Sequence, residues 1–501
     1  MPTTARPLMQ ALVLPCLLVG AMQARAANCE SLATLQLPDT IITLTQAVAA
    51  GGFAAEVPAN QAATYTDLPA FCRVAATIAP TSDSAINIEV WLPAENWNGK
   101  FQGVGNGGWT GSIANAALAA ALSRGYAAAS TDTGHVGGSA SFALGHPEQV
   151  IDFGYRAIHE MTVKGKALAT AYYDAIAPQH SYFVGCSAGG RQGMKAAQMY
   201  PDDYDGIVAG SPGLNWSGRA LQTVWVGQAV AAAPLPAEKF AALNAAAIAS
   251  CDNIDGITDG VIENPRQCRF DPAVLQCSGV ETAACLTPAQ VETARSIYAD
   301  VRNRRSGELV VAGLSPGSET GWNTMAGAQP FGPGVDLFKY IVFSDAEWDF
   351  RTLNWDSDIA RTTAASVAMD ALDTNLAPFF ARGGKLLSYH GWGDPQISPG
   401  STVDYYESVR TKMGAATVAA AYRLYMVPGM AHCGGGTGTA EFDMLTALEQ
   451  WVEQDQAPDM IPAARVVEGQ TVRTRPLCPY PQTAVYDGSG STDTLDNFSC
   501  R

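Results

Sequence analysis

The stretch Gly185-Cys186-Ser187-Ala188-Gly189-Gly190 constrains this chain more than any other. It follows the apolar run Tyr182-Phe183-Val184 and opens a helix-like segment from Arg191 to Tyr200. A strand feeding a sharp turn and then a helix is the setting in which Gly-x-Ser-x-Gly forms a nucleophile elbow. Gly185 and Gly189 leave out the side chains that would collide where strand and helix meet, and the helix start aims N–H groups at developing negative charge. Ser187 is the first candidate nucleophile.

Around the elbow the pattern alternates. Ile86-Asn-Ile-Glu-Val-Trp-Leu reads as a half-buried strand, Phe101 to Gly105 as a second and Gly125 to Ser130 as a third. Between the last two lie Gly105-Asn106-Gly107-Gly108-Trp109-Thr110-Gly111 and an Ala/Leu-rich helix through Leu122. Helix Tyr155–Ala175, strand Tyr182–Val184, the elbow helix and strand Gly206–Gly210 continue the rhythm, which then stops from about Leu214 to Asp370. It resumes with strand Gly384–His390, helix Ser401–Gly414, strand Tyr422–Val427 and helix Glu441–Gln454. This predicts an α/β-hydrolase core, a mostly parallel sheet with helices on both faces, assembled from residues 28–213 and 371–501 with a lid inserted at 214–370. The lid's aromatics, Trp216, Trp225, Trp322, Phe331, Phe338, Tyr340, Phe343, Trp348, Phe350 and Trp355, either line a pocket for a flat ring or, singly, fill the lid's own core.

A serine hydroxyl needs a base, and the base an orienting carboxylate, in the chain order Ser, Asp or Glu, His for this fold. Of six histidines only His390 and His432 lie downstream of Ser187. His432 sits in a Gly-rich loop just after the last core strand, where the base belongs. His390-Gly391-Trp392-Gly393-Asp394 ends the preceding core strand, where the acid belongs. Asp394 is therefore expected as the acid and His432 as the base, with His390 structural within its turn and Asp404, inside a predicted helix, the alternative acid. The oxyanion would be met by the N–H of Ala188 and by one from the glycine loop, with Gly107 and Gly108 the candidates.

Residues 1–27 carry Arg6, an apolar run from Leu8 to Met22 and the small-residue pattern Ala24-Arg25-Ala26, the layout of a cleaved export signal. A secreted or periplasmic protein beginning near Ala27 is expected. Eleven cysteines less Cys16 leave an even set of ten, which suits an oxidising compartment and five disulfides; none forms the paired Cys-x-x-Cys units of structural zinc. With 47% hydrophobic and 15% charged residues the chain reads as an ordinary globular enzyme, and a formal charge of −17 argues against nucleic acid or an anionic membrane as partner.

Together these stretches resemble the tannase and feruloyl esterase family of secreted α/β-hydrolases, over essentially the whole mature chain. The similarity is carried by the elbow, His390 to Asp394, His432-Cys433, Gly105 to Trp109, Ser130 to His135, and Tyr200 to Pro212. It implies hydrolysis of small-molecule esters of an aromatic acid, hydroxycinnamic or gallic, with a sugar, polyol or other alcohol, including substrates attached to plant cell-wall sugar or tannin. The family also contains mono(2-hydroxyethyl) terephthalate hydrolase, whose kind carries Glu after the nucleophile where this chain has Ala188. A non-enzymatic alternative is a phenolic- or carbohydrate-binding protein on an inactive hydrolase fold.

Cys251 to Cys268 encloses Asp252-Asn253-Ile254-Asp255-Gly256-Ile257-Thr258-Asp259-Gly260-Val261. Carboxylates three and four apart in a Gly-containing loop can fold round a hard cation, though spacing alone equally describes a solvated acidic turn. The resemblance implies structural calcium, held by the side chains of Asp252, Asp255 and Asp259 and the carbonyls of Ile257 and Val261, with no cofactor for catalysis. The expected disulfides are the sequence-local staples Cys29–Cys72, Cys251–Cys268, Cys277–Cys285 and Cys478–Cys500, leaving Cys186 and Cys433 for each other.

Overall fold

The computed structural model describes Met1 and residues 27–501, so the expected export signal, its end residues apart, lies outside the described residues. The main sheet is built from β1 (Thr40–Val48), β2 (Phe71–Ile78), β3 (Ile86–Pro93), β4 (Lys100–Val104), β5 (Ala127–Thr131), β6 (His180–Cys186) and β7 (Gly206–Gly210). After a small separate pair, β8 (Val301–Arg302) and β9 (Leu309–Val311), it is completed by β10 (Lys385–Gly391) and β11 (Tyr422–Val427). The nine strands lie in the order β1-β2-β3-β5-β4-β6-β7-β10-β11. From β5 to β11 every neighbour is parallel, while β1, β2, β3 and β5 pair antiparallel.

Successive residues of a strand face opposite sides of a sheet. Phe183, Ile207, Leu386 and Leu424 accordingly join the core on one side with helices Ala157–Tyr172, Ala188–Met199 and Pro399–Met413. Their neighbours Tyr182, Val208, Leu387 and Tyr425 join the core on the other side with helices Asn115–Ser123 and Met444–Gln454. Burial on both faces explains why β5 and β7 read as unbroken small and apolar runs.

Three parts of the architecture differ from the sequence reading. β1 and β2 fall in the segment before Ile86 that carried no strand prediction; β1 is an edge strand with a bulge between Ile42 and Leu44, which breaks its alternation. The helix expected over Tyr155–Ala175 is regular only from Ala157 to Tyr172 and is preceded by a π-turn at Asp152–Arg156, and the last core helix begins at Met444 because the Asp443 side chain caps it through Thr446 N. Beyond Gln454, where the reading ended, stand two further hairpins, β12 (Ile461–Val467) with β13 (Gln470–Leu477) and β14 (Ala484–Tyr486) with β15 (Phe498–Cys500).

β7 and β10 are hydrogen-bonded neighbours, yet the chain between them makes its longest excursion. That excursion is mainly helical, with helices Trp216–Ala232, Phe240–Cys251, Pro288–Tyr298 and Asp358–Ala365, hence the loss of strand–helix rhythm. Trp322 is buried in a cluster of the excursion's own, Trp216, Phe338, Trp348 and Trp355 in one shared with Trp109, Phe153 and Ala188, and Trp225, Phe331, Tyr340, Phe343 and Phe350 pack at the margins of these clusters. Among the described residues no helix is long and apolar enough to cross a membrane.

The parallel strands converge on the elbow, where backbones touch. A Cβ on Gly185 would stand 2.6 Å from the carbonyl of Gly189, one on Gly105 2.5 Å from Gly189 Cα, and one on Gly190 2.4 Å from the Gly210 oxygen. Side chains have no room at these positions. Gly185→Ala is expected to lower stability by about 1–3 kcal/mol through overpacking and to lower esterase activity in the protein that remains folded; denaturant melts and initial rates measured together check this.

Candidate active site

Ser187 closes β6 and precedes the helix Ala188–Met199 with φ 65° and ψ −121°, a region L-residues rarely adopt. The strain is held from three sides. Ser187 N–H donates to Gly210 O at 2.9 Å, and its carbonyl accepts from Arg191 N and Gly213 N, each at 3.1 Å. Ala188 is the first residue of the helix, and the N–H groups of a first turn have no acceptor within the helix.

The glycine loop lies across this helix start. Gly105 N–H is spent on Val184 O and Asn106 N–H on Gln192 Oε1, while Asn106 Nδ2 ties the loop to Thr131 O at 2.8 Å. A Cβ on Gly107 or Gly108 would meet no atom within 4 Å, so there is open space on that side of both residues. Buried His135 supports the loop, with Nε2 2.8 Å from Trp109 O and its ring stacked on Phe142. Trp109 in turn donates its indole N–H to Pro333 O of the excursion.

Asp394 and His432 reach the same region from the loops after β10 and β11. His432 Nδ1 lies 2.6 Å from Asp394 Oδ2, leaving Nε2 on the opposite edge of the ring. Asp394 is fully buried, and its Oδ1 accepts from Gln396 N at 2.8 Å and Ile397 N at 3.0 Å. Burial alone would raise its pKa, but the hydrogen bonds from His390 and His432 outweigh it and hold the carboxyl well below the usual range. Asp394 is thus ionised at neutral pH. Asp404 stands elsewhere, on helix Pro399–Met413, paired with Arg266 at 3.4 Å.

Cys186 and Cys433 are bridged, with Cα atoms 6.0 Å apart across 247 residues, and Ser187 and His432 each adjoin one of these cysteines. Cys433 itself has φ 63°, and its N–H donates to Ser211 Oγ at 3.4 Å. The other expected pairs, Cys29–Cys72, Cys251–Cys268, Cys277–Cys285 and Cys478–Cys500, are also bridged.

His390, expected to be structural within its turn, is bonded there, with Nε2 3.0 Å from Asp394 Oδ2. A further neighbour of the acid escaped the sequence reading. Arg219, from helix Trp216–Ala232, lies between the faces of Trp216 and Phe331 and donates Nε–H to Gln396 O at 3.2 Å. Burial pushes its guanidinium down to about 10 while Asp394 pulls the other way, so it stays charged at neutral pH. No local signal marks an arginine in one helix as the companion of a carboxylate 175 residues on.

In the acidic loop, Asp252 accepts from Asp259 N at 3.2 Å and Gly260 N at 2.9 Å, and Asp255 accepts from Ile257 N at 2.9 Å. Asp259 accepts from Val261 N and pairs with Arg473 at 3.2 Å and Arg475 at 2.7 Å. Among the described residues no three His, Cys, Asp or Glu side chains close into a metal cage. The donor set still suits a hard cation. Asp255 is raised first by burial, then by the charges of Asp259 and Asp252, a repulsion that a cation would relieve.

Serine, acid and histidine follow one another along the chain from the ends of parallel strands, the arrangement of the α/β-hydrolases, and this molecule is one of them. The family model for tannase and feruloyl esterase matches residues 72–501, and the chain belongs to that family. It is a carboxylic ester hydrolase. It is 40% identical to an uncharacterised esterase of Xanthomonas campestris pv. campestris, over 96% of this chain and 93% of that one. It is 36% identical to the mono(2-hydroxyethyl) terephthalate hydrolase of Piscinibacter sakaiensis, over 90% of this chain and 88% of that one. The crystal structure of feruloyl esterase B from Aspergillus oryzae superposes with a TM-score of 0.87 at 31% identity, covering 94% of this chain and 99% of that one.

The Cys186–Cys433 bridge tests what holds the elbow to the histidine loop. A loop of this length stabilises by roughly 5–6 kcal/mol in the chain-entropy model wherever it lies, but misplacing reacting groups by about 1 Å costs on the order of 10²-fold in rate. Cys186→Ala with Cys433→Ala is expected to depress turnover strongly even well below its melting temperature. Near-parental turnover in a folded but less stable variant would reduce the bridge to a staple.

Proposed function

We propose that this chain is an exported serine esterase that hydrolyses esters of aromatic acids, hydroxycinnamic or gallic, by an acyl-enzyme route. The observation that carries the reading is the 2.6 Å contact between His432 and the ionised Asp394, on a loop bridged directly to the elbow of Ser187. Ser187 Oγ attacks the ester carbonyl as His432 Nε2 takes its proton, and Asp394 holds the ring in the tautomer that makes this possible. The oxyanion is met by the N–H of Ala188 and by one from Gly107 or Gly108. His432 then returns the proton to the departing alkoxide, water adds to the acyl-enzyme with His432 again as base, and the aromatic acid leaves as Ser187 is restored.

The excursion over residues 214–370 serves as a lid in this reading. Its Pro333 holds Trp109, and its Asp336 accepts from Ser139 Oγ at 2.7 Å and Ala140 N at 3.1 Å, so it rests on the segments that flank the glycine loop. The aromatic relatives support an aromatic acyl group, and the five bridged pairs support export to an oxidising compartment. Ala188 stands where the resemblance places Glu in the terephthalate hydrolase kind, so a hydroxycinnamate or gallate ester is favoured.

Ser187→Ala is expected to abolish hydrolysis of methyl ferulate, methyl gallate and chlorogenic acid, with a loss of about 10⁴-fold or more, while its melting curve stays close to the parent's. Parental activity in that variant would refute the mechanism. Faster turnover of mono(2-hydroxyethyl) terephthalate than of the three natural esters would replace the substrate assignment.

Asp252, Asp255 and Asp259, with the carbonyls of Ile257 and Val261, are assigned to a structural calcium ion. Bound calcium would offset the charges of Asp252 and Asp255, Asp259 being already paired with Arg473 and Arg475, and pin the loop; the chemistry on Ser187 does not pass through it. A ligand held only by the folded state stabilises it by mass action, about 2.7 kcal/mol at a hundredfold excess over Kd. Chelation should therefore lower the melting temperature and calcium should restore it; an unchanged melt with no calcium found by elemental analysis would refute the site.

A further inference from the structure

Asp394 Oδ2 is approached by two imidazoles, one more than the proton relay uses. His390, Asp394 and Thr402 are all fully buried. His390 Nε2 lies 3.0 Å from Asp394 Oδ2 and 3.2 Å from the Ile397 carbonyl. Both of these oxygens only accept here, so the ring proton is on Nε2. On the other edge Nδ1 lies 2.8 Å from Thr402 Oγ1, whose hydroxyl can donate to it. The ring is thus satisfied at both nitrogens while neutral, and it spends its only N–H on the oxygen that also receives His432.

We infer that His390 is a positioning residue for the acid: by sharing Oδ2 with His432 it withdraws part of the carboxylate's charge and so limits how tightly Asp394 holds a proton on His432. This rests on the reading of Ser187, His432 and Asp394 as the working triad. A base is useful only while it is unprotonated, and the imidazolium formed in the attack is stabilised by the facing carboxylate. A carboxylate oxygen with a second strong donor is a weaker acceptor toward the first. The share taken by His390 therefore keeps His432 unprotonated to lower pH, in exchange for some driving force in the attack.

The charged and titratable groups facing this carboxylate are His390 from its own strand, His432 from the loop after β11, and Arg219 from helix Trp216–Ala232. Arg219 adds a fixed positive charge that no working pH removes, and Thr402, from helix Pro399–Met413, carries none. His390 is the one group here whose sole link to the base is the shared oxygen.

The test is the pH profile of kcat/KM on methyl ferulate for the parent, His390→Phe, His390→Gln and Thr402→Val, each with its melting curve. Loss of the donor in His390→Phe should move the acid limb up by about one pH unit as well as lower kcat. His390→Gln, which offers an N–H to the carboxylate, should bring the limb back toward the parental value. Thr402→Val, an isosteric change that weakens the donor by removing its support at Nδ1, should move the limb in the same direction by less, and it decides the matter if His390→Phe does not fold. A fall in kcat with the acid limb unmoved would make His390 a plain brace of the turn and overturn the inference, as would a limb in His390→Gln displaced as far as in His390→Phe. Ser187→Ala and His432→Ala, assayed beside them, separate the two levels. If they retain activity the triad reading falls and takes this inference with it; if they lose it and the limbs stand still, only the role of His390 falls.

Discussion

The contact on which everything else depends is backbone against backbone, where the ends of β4, β6 and β7 meet the first turn of the helix that follows Ser187. Gly105, Gly185, Gly189 and Gly190 lie so close that a single methyl on any of them would overlap a neighbouring main-chain atom or press hard against it. Removing the side chains lets the helix start directly at the strand end. The serine is then forced into a positive φ that hydrogen bonds from three sides maintain. The same closeness sets the glycine loop beside the helix start. Strain at Ser187 and rigidity around it are two aspects of one packing decision.

The second commitment is a buried charge. A carboxylate removed from water costs several kcal/mol unless its lone pairs are met, and Asp394 meets them with four N–H donors, two from its own turn and two from imidazoles. The turn supplies orientation, and the imidazoles give the charge something to do. Because the donors come from β10, from the turn that follows it and from the loop after β11, and because the excursion's Arg219 donates to the Gln396 carbonyl of that turn, the acid's geometry registers the relative placement of three separate pieces of chain. The disulfide between Cys186 and Cys433 adds a covalent tie between the serine and histidine loops, both of which also bond to the turn after β7 at Gly210 to Gly213.

The excursion between β7 and β10 is joined to this arrangement more closely than its place in the chain suggests. It reaches the glycine loop through Trp109 and the acid turn through Arg219, and most of its large aromatics pack in or against a cluster that also takes in Trp109, Phe153 and Ala188. Its acidic loop packs against the final hairpins through Arg473 and Arg475, far along the chain from the reacting groups.

The amino-acid sequence by itself determined the elements whose signal is local. Gly-x-Ser-x-Gly between an apolar run and a helix, the β/α alternation on either side, and a histidine and an aspartate at the ends of the last two core strands were all legible, because glycine sterics and period-two burial act within a few residues. The order of the nine strands, the unmarked edge strand β1 and the closing hairpins were decided by tertiary structure, since the bulge in β1 breaks its alternation and pairing partners leave no trace in a single chain. The same divide runs through the site. His390 looked like a brace of its own turn because its strand position reveals only which loop it enters; that its one N–H falls on the oxygen shared with His432, and that Arg219 stands over the same turn, depends on distances between segments that only the folded chain brings together.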